Sequence, residues 1–107
     1  MKNLLILIAA VYLLTLIFKP APAEDYNAMY DEPVILYATE WCGYCKKVRK
    51  IFQEKGITYK EFNIETSSQS NSEFKSLGGQ GVPLTLINGT VIHGYNPNKI
   101  KHMIKDI

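Results

Sequence analysis

An apolar run fills residues 4–18, broken only by Thr15 and carrying no charge, so nothing polar marks a solvent face, against its being a buried helix of the fold and in favour of two other readings. Lys2 precedes the run and Ala21-Pro22-Ala23 follow it. Residues 1–23 therefore have the three parts of a cleavable secretory signal: a charged start, an apolar core of about 7–15 residues and small residues before a cut. Read from Asn3 to Lys19 with snorkelling ends, the same run approaches the lower limit of about 17 residues for a membrane anchor. Lys19-Pro20 directly after the core is natural for an anchor, and the two readings stand side by side. Either directs the chain to a membrane. Lys2 ahead of the run favours a cytoplasmic N-terminus and an exported domain. The expected location is a bacterial cell envelope, with the domain periplasmic or anchored in the inner membrane outside the cytoplasm.

Residues 24–32 are rich in Asp, Glu, Asn and Tyr and read as a linker or a loosely ordered arm. Residues 33–107 are left for one small domain. From Glu24 onward ten basic residues face ten acidic ones, a balance that points away from nucleic acid as a partner. Lys46, Lys47, Arg49 and Lys50 form the one basic cluster, best read as a solvated helix face. Two cysteines are too few for a disulfide scaffold or an all-cysteine metal site.

Strand and helix signals alternate through this domain. Val34-Ile35-Leu36-Tyr37-Ala38 is a short β-rich apolar run after Pro33, hence a buried strand. Residues 43–55 are helical, with Cys45, Val48, Ile51, Phe52 and Lys55 at three- and four-residue steps and Gly56 placed as a C-terminal cap. A strand is expected at 58–64, and a short polar helix at 67–77 with Phe74 and Leu77 inward, stopped by Gly78-Gly79. Strands at 82–87 and 90–93 flank Asn88-Gly89, a type I′ hairpin signal. A last helix runs from 96 or 97 to 105 with Ile100, Met103 and Ile104 on one side. The order β-α-β-α-β-β-α defines an α/β fold: a parallel βαβ unit, then an antiparallel hairpin, giving a four-stranded mixed sheet with three helices.

The chemistry concentrates at Trp41-Cys42-Gly43-Tyr44-Cys45, between the first strand and the first helix of the domain. Cys42 falls at the helix N-terminus, where free N–H groups and the positive dipole end stabilise a thiolate. Cys45, one turn in with Val48 and Phe52, is the more buried partner. Two unlike sulfurs within bonding reach suit thiol–disulfide exchange. A zinc site would need two further ligands, and only His93 and His102 are at hand, one on a hairpin strand and one on a solvent-facing helix. No metal site is expected.

At these residues the sequence resembles the glutaredoxins of the thioredoxin superfamily, over roughly residues 33–104. Trp41-Cys42-Gly43-Tyr44-Cys45 is close to the family's C-P-Y-C, with Gly43 replacing proline. Gly81-Val82-Pro83 is similar to the T-V-P segment, whose proline is cis in the family and whose neighbour faces the disulfide. His93-Gly94-Tyr95-Asn96-Pro97 matches the glycine-bearing stretch after the fourth strand. The resemblance implies a thioredoxin-like fold and Cys42 and Cys45 as the catalytic pair. It implies Trp41, Tyr44, Val82, Pro83, Gly94 and Tyr95 as substrate-binding residues. It implies a monomer without resident cofactor, with protein thiols and disulfides as partners, glutathione as co-substrate, and glutathione or a thioredoxin-reductase-type protein as electron donor.

The acidic pair that holds glutathione's γ-glutamyl end in many members is absent from Gly94-Tyr95-Asn96-Pro97-Asn98. That stretch resembles instead the G-F-x-P segment of the glutaredoxin-like donors of ribonucleotide reductase. Glycine at the Gly43 position carries a second expectation, a glutathione-dependent iron–sulfur cluster carrier using Cys42.

Overall fold

The computed structural model describes residues 2–17 and 24–107. The order is α1 (Lys2–Ile17), α2 (Glu24–Tyr30), β1 (Val34–Ala38), α3 (Gly43–Glu54), β2 (Lys60–Asn63), α4 (Ser68–Ser76), β3 (Leu84–Ile87), β4 (Thr90–His93) and α5 (Pro97–Ile104). The expected β-α-β-α-β-β-α series is present as β1 to α5. Cys42, Ser67 and Asn96 cap α3, α4 and α5, each side chain accepting an N–H of the first turn. Asn88 and Gly89 both have positive φ, 46° and 81°, as a type I′ hairpin requires.

The strand order is β2-β1-β3-β4, with β1 parallel to β2 and antiparallel to β3, and β3 antiparallel to β4. Every residue of β1 and β3 is buried, because both faces of these central strands are covered. Side chains alternate between the faces. Val34, Leu36, Ala38 and Ile87 pack with Val48, Ile51 and Phe52 of α3 and Ile100 and Ile104 of α5. Ile35, Tyr37, Leu84 and Leu86 pack on the other face with Phe74 of α4 and the aromatic rings of Tyr26, Tyr30 and Phe62.

The stretch 24–32, expected as a linker, is corrected by α2, which belongs to the second face. Asn27 is buried and uses its whole amide: Nδ2 donates to the carbonyls of Glu32 (2.9 Å) and Leu86 (3.4 Å), and Oδ1 accepts from the Gly89 N–H (2.8 Å). The Tyr30 hydroxyl donates to Glu73 Oε1, and the Tyr37 hydroxyl donates to Oε2 at 2.9 Å. A carboxylate 6% exposed is thereby satisfied by two phenols, with Gln69 Nε2 adding a third donor at 3.3 Å. Glu73, Leu86 and Gly89 lie 43 to 62 residues from their partners Tyr30 and Asn27 in this stretch, which is why composition alone reads it as unattached.

The N-terminal run forms α1, whose side chains from Leu4 to Leu14 are exposed. Its 16 residues rise about 24 Å at 1.5 Å each, short of the roughly 30 Å of a hydrocarbon core. Among the described residues, no helix is long and apolar enough to cross a membrane.

Candidate active site

Register places the site at one end of the sheet. Asn63 lies beside Ala38, Tyr37 beside Leu84, and Leu84 beside His93, so the ends of β2, β1 and β4 and the start of β3 form one row. The segments leaving that row carry Glu65, Cys42, Pro83 and Tyr95, in this lateral order across the sheet.

Cys42 and Cys45 are joined as a disulfide with Cα atoms 5.2 Å apart. The Cys42 sulfur accepts the Cys45 N–H at 3.1 Å, so the helix terminus is aimed at the sulfur expected to carry negative charge after reduction. Cys45 is fully buried; Cys42 is 4% exposed, and the expected contrast in exposure is therefore slight in the disulfide form. Both sulfurs belong to the core cluster beneath α3, with Val82 packed against it. The side chains on either side of Cys42 are open instead: Trp41 is 71% and Tyr44 58% exposed.

The Val82–Pro83 bond is cis. Pro83 is buried, and its carbonyl accepts the Gly94 N–H at 2.9 Å, tying the proline segment to the turn after β4. Val82 and Gly94 line a groove of about 510 Å³ together with Gly78, Gln80, Gly81 and His93. Tyr44 and Tyr95 stack with ring centroids 5.6 Å apart, and Lys47 Nζ lies 5.3 and 5.5 Å from their centroids. The structure thus brings together Cys42, Cys45 and Val82, then Pro83 with Gly94, then Tyr44 with Tyr95. Trp41 stands apart on the β2 side, where its indole N–H donates to Glu65 Oε1 at 2.6 Å.

Sequence reasoning did not single out Glu65, Lys47 in this role, or Arg49. Arg49 holds Glu61 through Nε and Nη2 at 2.7 and 2.9 Å, while Nη2 also reaches the Thr39 carbonyl at 3.2 Å. The hydrogen bond to Glu61 raises the guanidinium pKa further. The pair fixes the end of β1 from which the Cys42 loop departs. Nothing in sequence spacing marks it, because Arg49 and Glu61 sit on different elements. His93 and His102 are exposed, and among the described residues no group of three or more His, Cys, Asp or Glu could hold a metal ion.

A four-stranded mixed sheet, a disulfide at a helix N-terminus and a neighbouring cis proline define a thioredoxin-fold redox protein. A model of the glutaredoxin family matches residues 34–92. A glutaredoxin-like 8.6 kDa protein of the rubredoxin operon in Clostridium pasteurianum is 32% identical over 71 residues, covering 65% of this chain and 95% of its own. Among solved structures, the Archaeoglobus fulgidus glutaredoxin superposes with a TM-score of 0.60 at 20% identity over 68% of this chain and 86% of that one. A buckwheat glutaredoxin in complex with glutathione gives a TM-score of 0.56 at 28% identity over 65% and 67%. The chain belongs to the glutaredoxin family. It is a glutaredoxin-like thiol–disulfide oxidoreductase, of a family that acts on protein thiols and glutathione.

Proposed function

We propose that Cys42 and Cys45 exchange a dithiol and a disulfide with protein disulfides and with glutathione mixed disulfides. The Cys42 thiolate attacks a substrate sulfur, forming a mixed disulfide and releasing one substrate thiolate, which takes up a proton. Cys45, as thiolate, then attacks the Cys42 sulfur, releasing the second substrate thiol and closing the Cys42–Cys45 bond. Two electrons pass to the substrate, and glutathione or a thioredoxin-reductase-type protein returns them. The observation that carries this reading is the Cys45 N–H aimed at the Cys42 sulfur at the first turn of α3. Trp41, Tyr44, Val82, Pro83, Gly94 and Tyr95 are read as the surface that receives the substrate.

The apolar exposed face of α1 supports reading residues 1–23 as a signal or membrane anchor of an envelope protein. Retention in the membrane fraction after alkaline extraction tests the anchor, and a mature N-terminus near residue 24 would assign the signal instead.

The central test is the reduction potential of the pair in glutathione buffers. A value of about −200 to −270 mV is expected for a reductant of this family, and about −120 mV would mark a donor of disulfides instead. Cys45→Ser should accumulate a mixed disulfide through Cys42. A brown dimer whose visible absorption vanishes in Cys42→Ser would overturn exchange in favour of the iron–sulfur carrier.

A further inference from the structure

The row of chain ends around Cys42 is electrically lopsided. On the β2 side lies a groove of about 460 Å³ lined by Glu40, Trp41, Asn63, Glu65 and Thr66. Its charged lining groups are two exposed carboxylates. The nearby guanidinium of Arg49, which feels Glu40, is already engaged by both oxygens of Glu61. On the β4 side the stacked Tyr44 and Tyr95 open into a groove of about 300 Å³ between α3 and α5, where Lys47, Lys50 and Lys101 are exposed. Glu54 is the one carboxylate in that lining, 3.9 Å from Lys50 in a pair open to water. Neither set belongs to the two buried clusters, and the exchange steps written above use neither.

We infer that this surface is a polarised dock for a protein substrate whose exposed disulfide is flanked by acidic residues on one side and basic residues on the other. The inference rests on the exchange reading above and names its partner. The acidic flank lies along Tyr44, Tyr95 and the lysines, and the basic flank lies along Glu40 and Glu65. Between them the aromatic side chains cover apolar stems of the incoming segment and its sulfur reaches Cys42. Opposed potentials on the two sides fix the direction in which the segment lies, because the reversed orientation sets like charges against each other on both flanks. A uniformly basic rim would attract acidic partners without orienting them.

The test uses the reduced full-length chain and three synthetic peptides of equal length, each carrying one cysteine as a mixed disulfide with glutathione. One has acidic residues before the cysteine and basic ones after it, the second reverses that order, and the third is neutral. At low ionic strength one charged order should react about tenfold faster than the other, and the ratio should approach one in high salt. A variant with Glu40→Lys, Glu65→Lys, Lys47→Glu and Lys101→Glu together should favour the other order. Equal rates for both orders at low salt, with the neutral peptide still exchanging, overturn the dock and leave the exchange reading intact. No reaction with any of the three overturns both. Inhibition by phosphatidylcholine vesicles containing phosphatidylglycerol, relieved by Lys47→Glu and Lys101→Glu, would show a lipid-facing surface and overturn the protein partner.

Discussion

Asn27→Ala removes the side chain that hydrogen-bonds α2 to the β3–β4 hairpin. Two of its hydrogen bonds have good geometry, 2.9 Å to Glu32 and 2.8 Å from Gly89, and the third, to Leu86, is long at 3.4 Å. At about 1 kcal/mol each for the good pair, and little for the long one, the loss comes to about 2 kcal/mol. In a domain of this size that lowers Tm by about 8–16 °C. Urea denaturation followed by circular dichroism on the full chain gives the free energy, and amide hydrogen exchange gives its location. The Gly89 N–H should exchange faster than the global loss requires, because its acceptor is gone. A change under about 0.5 kcal/mol with unaltered Gly89 protection would refute the docked α2 and return residues 24–32 to the status of a linker.

Other expectations follow from the same contacts. Burial, then the Glu73 hydrogen bond and charge, raise the Tyr30 phenol from 10.0 to about 12. The unfolded phenol ionises first, so stability present below pH 10 is lost as pH rises from about 10 through about 12, and Tyr30→Phe should flatten that slope in urea titrations at alkaline pH. A methyl group at Gly79 would sit 2.5–2.6 Å from the ring of buried Phe74, so Gly79→Ala should cost about 1–3 kcal/mol in the same assay, and a neutral result would show that the ring can move aside. Arg49→Lys cannot span both Glu61 oxygens and the Thr39 carbonyl; it should slow exchange at Cys42 severalfold with little change in Tm, and an unchanged rate would dismiss a positioning role.

What sequence could and could not show divides along the range of the interactions. The strands β1, β3 and β4, the helices α3, α4 and α5 and the Cys42–Cys45 site all rest on local signals: apolar runs, three- and four-residue spacing, Gly56 and Gly78-Gly79 where helices stop, Asn88-Gly89 in a turn. Glu73 escaped notice because a carboxylate in a polar helix reads as solvated, and only the Tyr30 and Tyr37 hydroxyls, from distant elements, make its burial tolerable. The same holds for α2, where nothing local marks Asn27 as buried. Trp41 and Tyr95 were expected at the site, yet their placement on opposite flanks depends on the strand order, which pairs β1 with β3 only through tertiary structure.

Both sulfurs lie inside the hydrophobic cluster under α3, touching the packing that also holds Val48, Phe52 and Ile100 in place. Folding and electron transfer therefore form a thermodynamic cycle with a shared corner. Whatever the core gains or loses when the Cys42–Cys45 bond opens must appear both as a stability difference between oxidised and reduced protein and as a shift in potential relative to the unfolded dithiol. About 1.4 kcal/mol on the first axis equals about 30 mV on the second. A core truncation such as Val48→Ala therefore shifts the potential by whatever difference it makes between the stabilities of the oxidised and reduced folds, and the apolar interior becomes part of the redox element itself.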